Sequence, residues 1–585
     1  MHQRASFSVV SLASVALVTL AACGSDKTTN PLDPSLADLG TMQVGAVRTI
    51  PYSVVASHPL TIPANLSSAQ YLIVAANTTV NTDVIPQLTA SGDQQGVFGQ
   101  NPAAQIAPPG STHTTSTYTS TGGALGATIE GRLRAYERTT LARRAQRRTT
   151  GISRDVLTPS RSVAPAVGDQ MTLRTLTATG FDGTTDVCNA YTTTTGTVQA
   201  VSTHAIVVLD NRSVNNGFTA TDYQNVANEF DQVIYPTDVG YFGTPTDIDG
   251  NGHVIIYYTP SVNLLTPQGS AATTGYVGGF FFAGDMYPTT GTNSCPSSNT
   301  AEIFYLLAPD PGGTYGNVFS PSFVQNVTRG TVAHEFQHMI NSGNRYVNNN
   351  LPFEVTWLDE GLAHFAEDAV GRAEAGFTDL QTLTVADIGA LDASTQSAFF
   401  IQNFGRAKYY VQRPDTTGAI VSASRASQNL ASRGAEWLML RYAADWFSNN
   451  TPRNLTKALA AGPDTGTTNL AKQIGVPLDT LFARWLVALY TDHMGIPNLD
   501  AQYNYKSYDM RSLVSRTPVV PDTGPAYIAP QALGNGSTSI TIGVPPSSAA
   551  YFLTSLTTGG ARTISVTSTG SSLSTNGRFY IVRTQ

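Results

Sequence analysis

Charge is scarce in this chain: only 12% of its 585 residues are Asp, Glu, Lys or Arg. The net charge of -7 is mild, which argues against a general nucleic-acid binder, whose footprint would be a basic patch or stripe. Thr, Ser, Gly and Ala take the place of charge, so hydroxyls solubilise most of the surface, as suits an exported protein. Long apolar runs are also missing. The stretch Phe7 to Thr19 is too short to span a bilayer, and no later segment is long and apolar enough. Cysteine occurs three times, and neither Cys188 nor Cys295 has zinc-ligand spacing. Histidine occurs nine times, so an ordered histidine pattern is informative.

The N-terminus reads as a bacterial secretion signal over residues 1–22. Arg4 is its basic start, and Leu20-Ala21-Ala22-Cys23-Gly24 looks like a lipobox. Cleavage before Cys23 and acylation of its thiol would tether the mature protein to a membrane, at a cell envelope or surface. Gly24 and Ser25 fit outer-membrane sorting in a Gram-negative cell. An ordinary cleaved signal or a short anchor is the competing reading. Residues 23–40 are polar and proline-bearing, which suits a flexible tether. With Cys23 assigned, Cys188 and Cys295 remain. An even remainder in an oxidising compartment suggests one disulfide, with two buried thiols as the alternative.

The most informative residues are His334-Glu335-Phe336-Gln337-His338, an H-E-x-x-H pattern. On a helix the two histidines share a face at zinc-holding spacing, and Glu335 is placed as general base for a zinc-bound water. With so few histidines, a chance match is expected well under roughly once in a hundred such chains. Ser320 followed by Pro321 is a helix start, and Gly343 reads as a stop. Apolar residues lie on both flanks, and Glu335 is the one charge between Arg329 and Arg345. Such a helix is buried, and an unpartnered carboxylate there would be costly.

Catalytic zinc usually takes three protein ligands. Glu360 stands twenty-two positions after His338, in Trp357-Leu358-Asp359-Glu360-Gly361-Leu362-Ala363-His364. This too reads as a helix, with Thr356 as cap and Asp359 completing a box-like arrangement. Glu360, His364 and Glu367 share a face. Glu367 is the alternative third ligand, and Gly361 would let two helices approach closely.

Together, His334-Glu335-Phe336-Gln337-His338 and Trp357-Leu358-Asp359-Glu360-Gly361-Leu362-Ala363 resemble the gluzincin metallopeptidases. The fuller string is similar to the hyicolysin-like secreted peptidases. It includes Met339-Ile340-Asn341, Ala366-Glu367-Asp368, Asp247-Ile248-Asp249-Gly250-Asn251-Gly252 and Gly434-Ala435-Glu436-Trp437-Leu438-Met439-Leu440-Arg441-Tyr442. The likeness covers roughly residues 200–490. It implies His334, His338 and Glu360 as zinc ligands and Glu335 as base. Some gluzincins carry an aspartate four residues after the glutamate ligand to orient a zinc histidine, and here that position is His364. The oxyanion-stabilising donor stays open among His364, Tyr409, Tyr410 and Tyr442.

Elsewhere the pattern is coarser. Residues 41–128 read as β-rich, with runs Thr49–Val55 and Gln70–Ala76; Pro51 limits the first to an edge strand. Ser111 to Gly126 reads as a loop. Residues 129–165 hold the one dense basic stretch, read as a solvated helix and linker, with an activation site at its paired arginines or a contact to anionic lipid as alternatives. Residues 166–320 are mainly strands, among them Ala205–Leu209, Val254–Tyr258 and Ile303–Leu307, with a helix near 220–233. Asp247, Asp249 and Asn251 match the first half of a calcium loop, or a plain Asx-Gly turn. Gly278–Asp285 reads as an edge strand lining the cleft, where a peptide could add. Helices dominate 321–500, including Glu436–Phe447 and Leu478–Thr491. Residues 531–585 are a short β module, or strands completing the first one.

The expected architecture is α+β. It is a zincin-like catalytic domain over 166–530, with a mixed sheet above an active-site helix and then a mainly helical subdomain, flanked by all-β modules. The expected function is that of an exported, monomeric zinc endopeptidase acting on protein or peptide, tethered through lipidated Cys23 and binding no nucleic acid. The rivals are a non-catalytic adhesion or scaffold lipoprotein with structural zinc, and another zinc hydrolase.

Overall fold

The computed structural model describes residues 34–80, 86–91, 123–144, 164–183, 185–420, 429–519, 522, 524–533, 539–541, 543–568 and 577–585. The secretion signal, Cys23, the first part of the tether, most of the Ser111–Gly126 run and the Arg147-Arg148 pair lie outside these residues. The fold is α+β. Among the described residues no helix is long and apolar enough to cross a membrane.

A six-stranded mixed sheet carries the first half of the central region. Its spatial order is Gln170–Leu176, Tyr191–Val201, Ala205–Asp210, Val254–Thr259, Ile303–Leu307, Gly279–Phe281. The three middle strands run parallel, with Ile255 opposite both Ile206 and Ile303. Parallel strands covered on both faces read as unbroken apolar runs, and Val254–Thr259 and Ile303–Leu307 are buried throughout. The last strand pairs antiparallel, Phe281 with Phe304, and forms one edge of the sheet. It passes close to the helix Pro321–Ser342: a Cβ on Gly279 would lie 2.9 Å from Thr331 Cγ2 and 2.7 Å from the Tyr305 carbonyl.

The helical half packs beneath. Helices Pro321–Ser342, Thr356–Glu374, Ile401–Gln412 and Leu430–Phe447 cross at glycines. A Cβ on Gly361 would meet Leu440 at 2.7 Å, and one on Gly434 would meet the Arg406 carbonyl at 2.1 Å. Trp437, Leu440, Trp485, Leu486 and Leu489 are core residues, as their spacing predicts; Phe447 is half-buried at the rim.

The two β-rich stretches, which the sequence leaves as separate modules or as one completed by the other, are hydrogen-bonded into shared sheets. Gly577–Arg583 lies between Val47–Pro51 and Ala69–Asn77, and Arg562–Ser568 lies between Leu60–Ile62 and Pro86–Ser91. Ala69–Asn77 is buried on both faces because alternate residues serve different cores. Ile73 and Ala75 face the second sheet of this unit, while Leu72, Val74 and Ala76 face the helical half. Cys188 and Cys295 form a disulfide closing a separation of 107 residues.

Several local expectations need correction. Gly343 does not stop its helix: it keeps helical dihedrals and the chain winds on as a wider turn to Asn348. Its lack of a side chain serves packing, since a Cβ would touch Thr246 Oγ1 at 2.9 Å. Thr356 does not cap; Val355 precedes the helix without a side-chain cap, and Asp359 is turned elsewhere. The run Thr49–Val55 is strand only to Pro51, the edge position its proline allows, and becomes a short helix from Tyr52. The helix near 220–233 extends through a wide turn to Phe242.

The basic stretch is the largest departure. It is helical from Gly123 to Tyr136 and winds on to Leu141. It is not solvated all round: Ile129, Leu133, Arg134, Glu137 and Leu141 are buried, while Arg132 and Arg143 stay exposed. The buried arginine is tolerated because it has acceptors, Arg134 bonding Glu137 and the Phe281 carbonyl; exposed Arg132 bonds the Phe181 carbonyl and half-buried Arg144 bonds Asp186.

Candidate metal centre

The helix Pro321–Ser342 starts where its sequence says. Ser320 precedes Pro321, and its hydroxyl accepts the Phe323 amide at 3.2 Å. From Val332 to Ser342 every residue is buried. One turn of helix separates His334 from His338, and their Nε2 atoms lie 3.2 Å apart. Glu360 Oε2, from the helix Thr356–Glu374, is 3.4 Å from His334 Nε2 and 3.8 Å from His338 Nε2. A tetrahedral zinc with ligand bonds near ~2.0–2.1 Å holds its donors about 3.3–3.4 Å apart. The three donor atoms match that triangle. Glu360 is fully buried, yet neither of its carboxylate oxygens makes a hydrogen bond. Arg433 approaches it at 3.1 Å without hydrogen-bond geometry, so the buried carboxylate keeps unused acceptors and the residues present fit a divalent ion.

The other ring nitrogens face carboxylates, His334 Nδ1 in a hydrogen bond and His338 Nδ1 in an ion-pair contact. Glu367 Oε1 is 2.8 Å from His334 Nδ1, and Asp359 Oδ2 is 2.9 Å from His338 Nδ1. Each pairing turns the opposite nitrogen, Nε2, toward the shared point, the usual outer arrangement of metal-binding histidines. Glu367 also meets His364 Nδ1 at 3.0 Å and Arg406 Nη1 at 2.9 Å. His334, His364 and Glu367 form a second group close enough to hold an ion. That group is satisfied from within: Glu367 Oε1 is shared by the two Nδ1 atoms and its Oε2 accepts from Arg406. Glu367 therefore fits as the orienting carboxylate, the role that His364 left open.

Charges in the cleft are strongly coupled. Burial disfavours the His334 cation, but Glu360 and Glu367 outweigh it and raise the imidazole to about 10. Burial pushes Glu360 up, but Arg433, His334 and His338 outweigh it and hold the carboxyl well below its usual range. Glu367 is likewise held down, against burial, by Arg406 and His364. His364 is pushed well below the usual imidazole value by burial and Arg406. Five carboxylates (Glu130, Glu335, Asp359, Glu360, Glu367) thus face three guanidiniums (Arg134, Arg406, Arg433), a surplus of negative charge that suits a cation.

Glu335 is fixed from the sheet side. Its Oε2 accepts the Phe281 amide of the edge strand at 2.8 Å and stands 3.9 Å from Arg134 Nη2. Burial raises its pKa, with His334 pulling the other way. Gly278 and Gly279 line the same cleft with Tyr276, Arg406 and Arg433.

Of the oxyanion candidates, Tyr410 is in the core, bonded to Ser548 Oγ at 3.1 Å, and Tyr442 donates to the Gln502 carbonyl. Both are engaged away from the histidines. The side chains that do reach the centre are Arg433, whose Nη2 is 3.1 Å from Glu360 Oε2, and Glu130 of the basic helix, 4.0 Å from His334 Nε2. Sequence reasoning missed both. Arg433 immediately precedes Gly434, the first residue of the motif string quoted above, and that adjacency was the available signal.

Asp247, Asp249 and Glu302 also bring carboxylate oxygens together. Asp247 accepts the Gly252 amide, and the Asn251 side-chain nitrogen donates to Asp249. These are the bonds of an Asx-Gly turn, with Gly250 and Gly252 at positive φ.

No family model matches this chain. Over 155 residues it is 32% identical to the neutral metalloprotease ShpI of Staphylococcus hyicus, a match covering 26% of this chain and 32% of that protein. The chain thus matches about a third of that relative's length. The likeness supports a metallopeptidase.

Proposed function

We propose that this protein is an exported zinc-dependent endopeptidase of the gluzincin type, with a hyicolysin-like, zincin-like catalytic region. One observation carries the reading: Nε2 of His334, Nε2 of His338 and Oε2 of Glu360 converge at 3.2–3.8 Å with Glu335 beside them. His334, His338 and Glu360 would hold the zinc, with Glu367 and Asp359 keeping each Nε2 on target. When bound, the ion would acidify a water to about pKa 7 and polarise a peptide carbonyl. Glu335, held by the Phe281 amide, takes the proton of the attacking water and passes it to the leaving amine. A substrate strand would add along Gly279–Phe281, whose outer edge borders the cleft. Arg433 is the nearest cation to the centre and would stabilise the developing oxyanion. Export and a membrane tether through Cys23 belong to the same reading.

The test is metal content and casein cleavage of the purified mature chain. Zinc near one equivalent, lost in His338→Ala, with hydrolysis abolished in Glu335→Ala, is expected. Stoichiometric zinc with no cleavage of any peptide library would favour the structural-zinc scaffold instead.

A further inference from the structure

The helix Gly123–Tyr136 and its continuation to Leu141 cross the cleft at three points. Glu130 Oε2 approaches His334 Nε2 to 4.0 Å, and Glu130, His334 and Glu335 together form a group able to hold a metal ion. Arg433 Nη1 grips the same Glu130 oxygen at 2.5 Å while its Nη2 contacts Glu360. One turn on, Arg134 Nη2 takes the Phe281 carbonyl at 2.8 Å and faces Glu335 at 3.9 Å. Glu137 Oε1 accepts the Ala283 amide at 2.8 Å. The carbonyl of Phe281 and the amide of Ala283 are backbone groups of the edge strand and its extension, the ones an added peptide strand would use.

We propose, resting on the zinc reading above, that Glu130 is a fourth, displaceable ligand of the same ion, and that the helix carrying it closes the cleft. Three donors leave one tetrahedral position open, and in catalytic sites water or substrate takes it. Glu130 lies on the Nε2 side of His334, opposite Glu367, and its oxygen has to move inward from 4.0 Å at His334, toward His338 and Glu360 as well, to reach ligand spacing. With Glu130 on the ion, the water position is filled. With Arg134 against Glu335 the base is paired, and with Arg134 and Glu137 on the edge strand the peptide register is taken. One helix therefore blocks metal, base and substrate strand together. Opening requires it to leave, and Arg433 is then freed to meet substrate.

The experiment uses the full mature chain as wild type, Glu130→Gln and Glu130→Asp. Zinc is titrated against a chromogenic chelator, the cobalt-substituted proteins are examined by visible absorption, and casein cleavage is followed in parallel. Expected are at least tenfold easier loss of zinc in Glu130→Gln, a shift in the cobalt d–d bands, and at least tenfold faster cleavage. Glu130→Asp, which keeps the charge one methylene short, should change in the same directions and covers the case in which Glu130→Gln does not fold. Wild-type zinc retention and an unchanged cobalt spectrum in both variants would overturn this inference alone. So would slower cleavage in both. A wild-type chain that binds no zinc, or that loses none in His338→Ala, would instead overturn the zinc reading itself.

Discussion

The helix Thr356–Glu374 separates two buried ionic clusters that were built to opposite rules. Toward the C-terminal end, Asp368, Arg372, Arg441 and Asp445 form a closed network. Arg372 bonds Asp368 and the carbonyls of Thr378, Gln381 and Ser507. Arg441 bonds Asp445, whose second oxygen accepts from Lys506, Ser507 and the Ser507 hydroxyl. Acids and bases balance, and none of these side-chain atoms lacks a partner. Toward the N-terminal end, Glu360 is equally buried with no hydrogen bond on either oxygen and an ion-pair contact to Arg433, and carboxylates exceed guanidiniums. A satisfied network fixes structure; an unsatisfied one of the same depth is costly unless something else completes it. The contrast separates a structural cluster from a binding site on the same helix.

The largest expected effect lies in the unsatisfied cluster. Glu335→Gln should cut casein hydrolysis by about 10²–10⁴ with zinc retained. Loss of zinc along with activity would make Glu335 a structural element and erase the contrast. Next come two stability changes of different kinds. Asp368→Ala should destabilise by about 3–5 kcal/mol, with or without metal, because it leaves the buried Arg372 without its carboxylate. Glu360→Gln should lose the rise in melting temperature that zinc gives the wild type and cost less than Asp368→Ala in a chelator, because Glu130 still pairs the Arg433 that it leaves. Equal penalties for both variants in chelator would mean that the two clusters obey one rule. In the sheet half, Cys188→Ser with Cys295→Ser should cost about 2–5 kcal/mol by denaturant melting. A smaller change would show that the bonds of Arg144 to Asp186 and the Ser294 carbonyl already hold those loops.

How far the sequence foretells each cluster follows from the same physics. The donor set was legible because helical spacing alone places His334 with His338, and the second helix motif places Glu360. The parallel strands were legible because burial on both faces leaves unbroken apolar runs such as Val254–Tyr258. The outer partners were not. Asp359 reads as a capping residue and Glu367 as a rival ligand until the two helices are docked, since their roles depend on which ring nitrogen they meet. Arg433, Arg406 and Glu130 reach the centre from three other segments, and no local spacing encodes that convergence. The basic helix is only half solvated, although a run of arginines normally marks solvent; Arg134, buried, finds acceptors in Glu137 and the Phe281 carbonyl of the sheet.

The smallest effect tests a third kind of buried acid. Asp285 accepts from the Asn299 amide and side chain and from the Tyr305 hydroxyl, with no cation in contact. Burial, only partly offset by these bonds, raises its pKa to about 7. Glu360 and Glu367 are held low by cations at similar depth, so depth alone does not set the direction. A carboxyl raised in the folded state binds its proton more tightly there than in the unfolded chain. Its contribution to stability is complete below the unfolded value near ~4 and is lost as pH rises through about 7. The stability of wild type relative to Asp285→Asn should therefore fall with rising pH over that window, by at most about 1.4 kcal/mol per unit. Urea melts of both proteins at half-unit steps read this directly. A difference independent of pH would mean that Asp285 stays ionised, and that neutral donors hold a buried charge as well as Arg433 and Arg406 do.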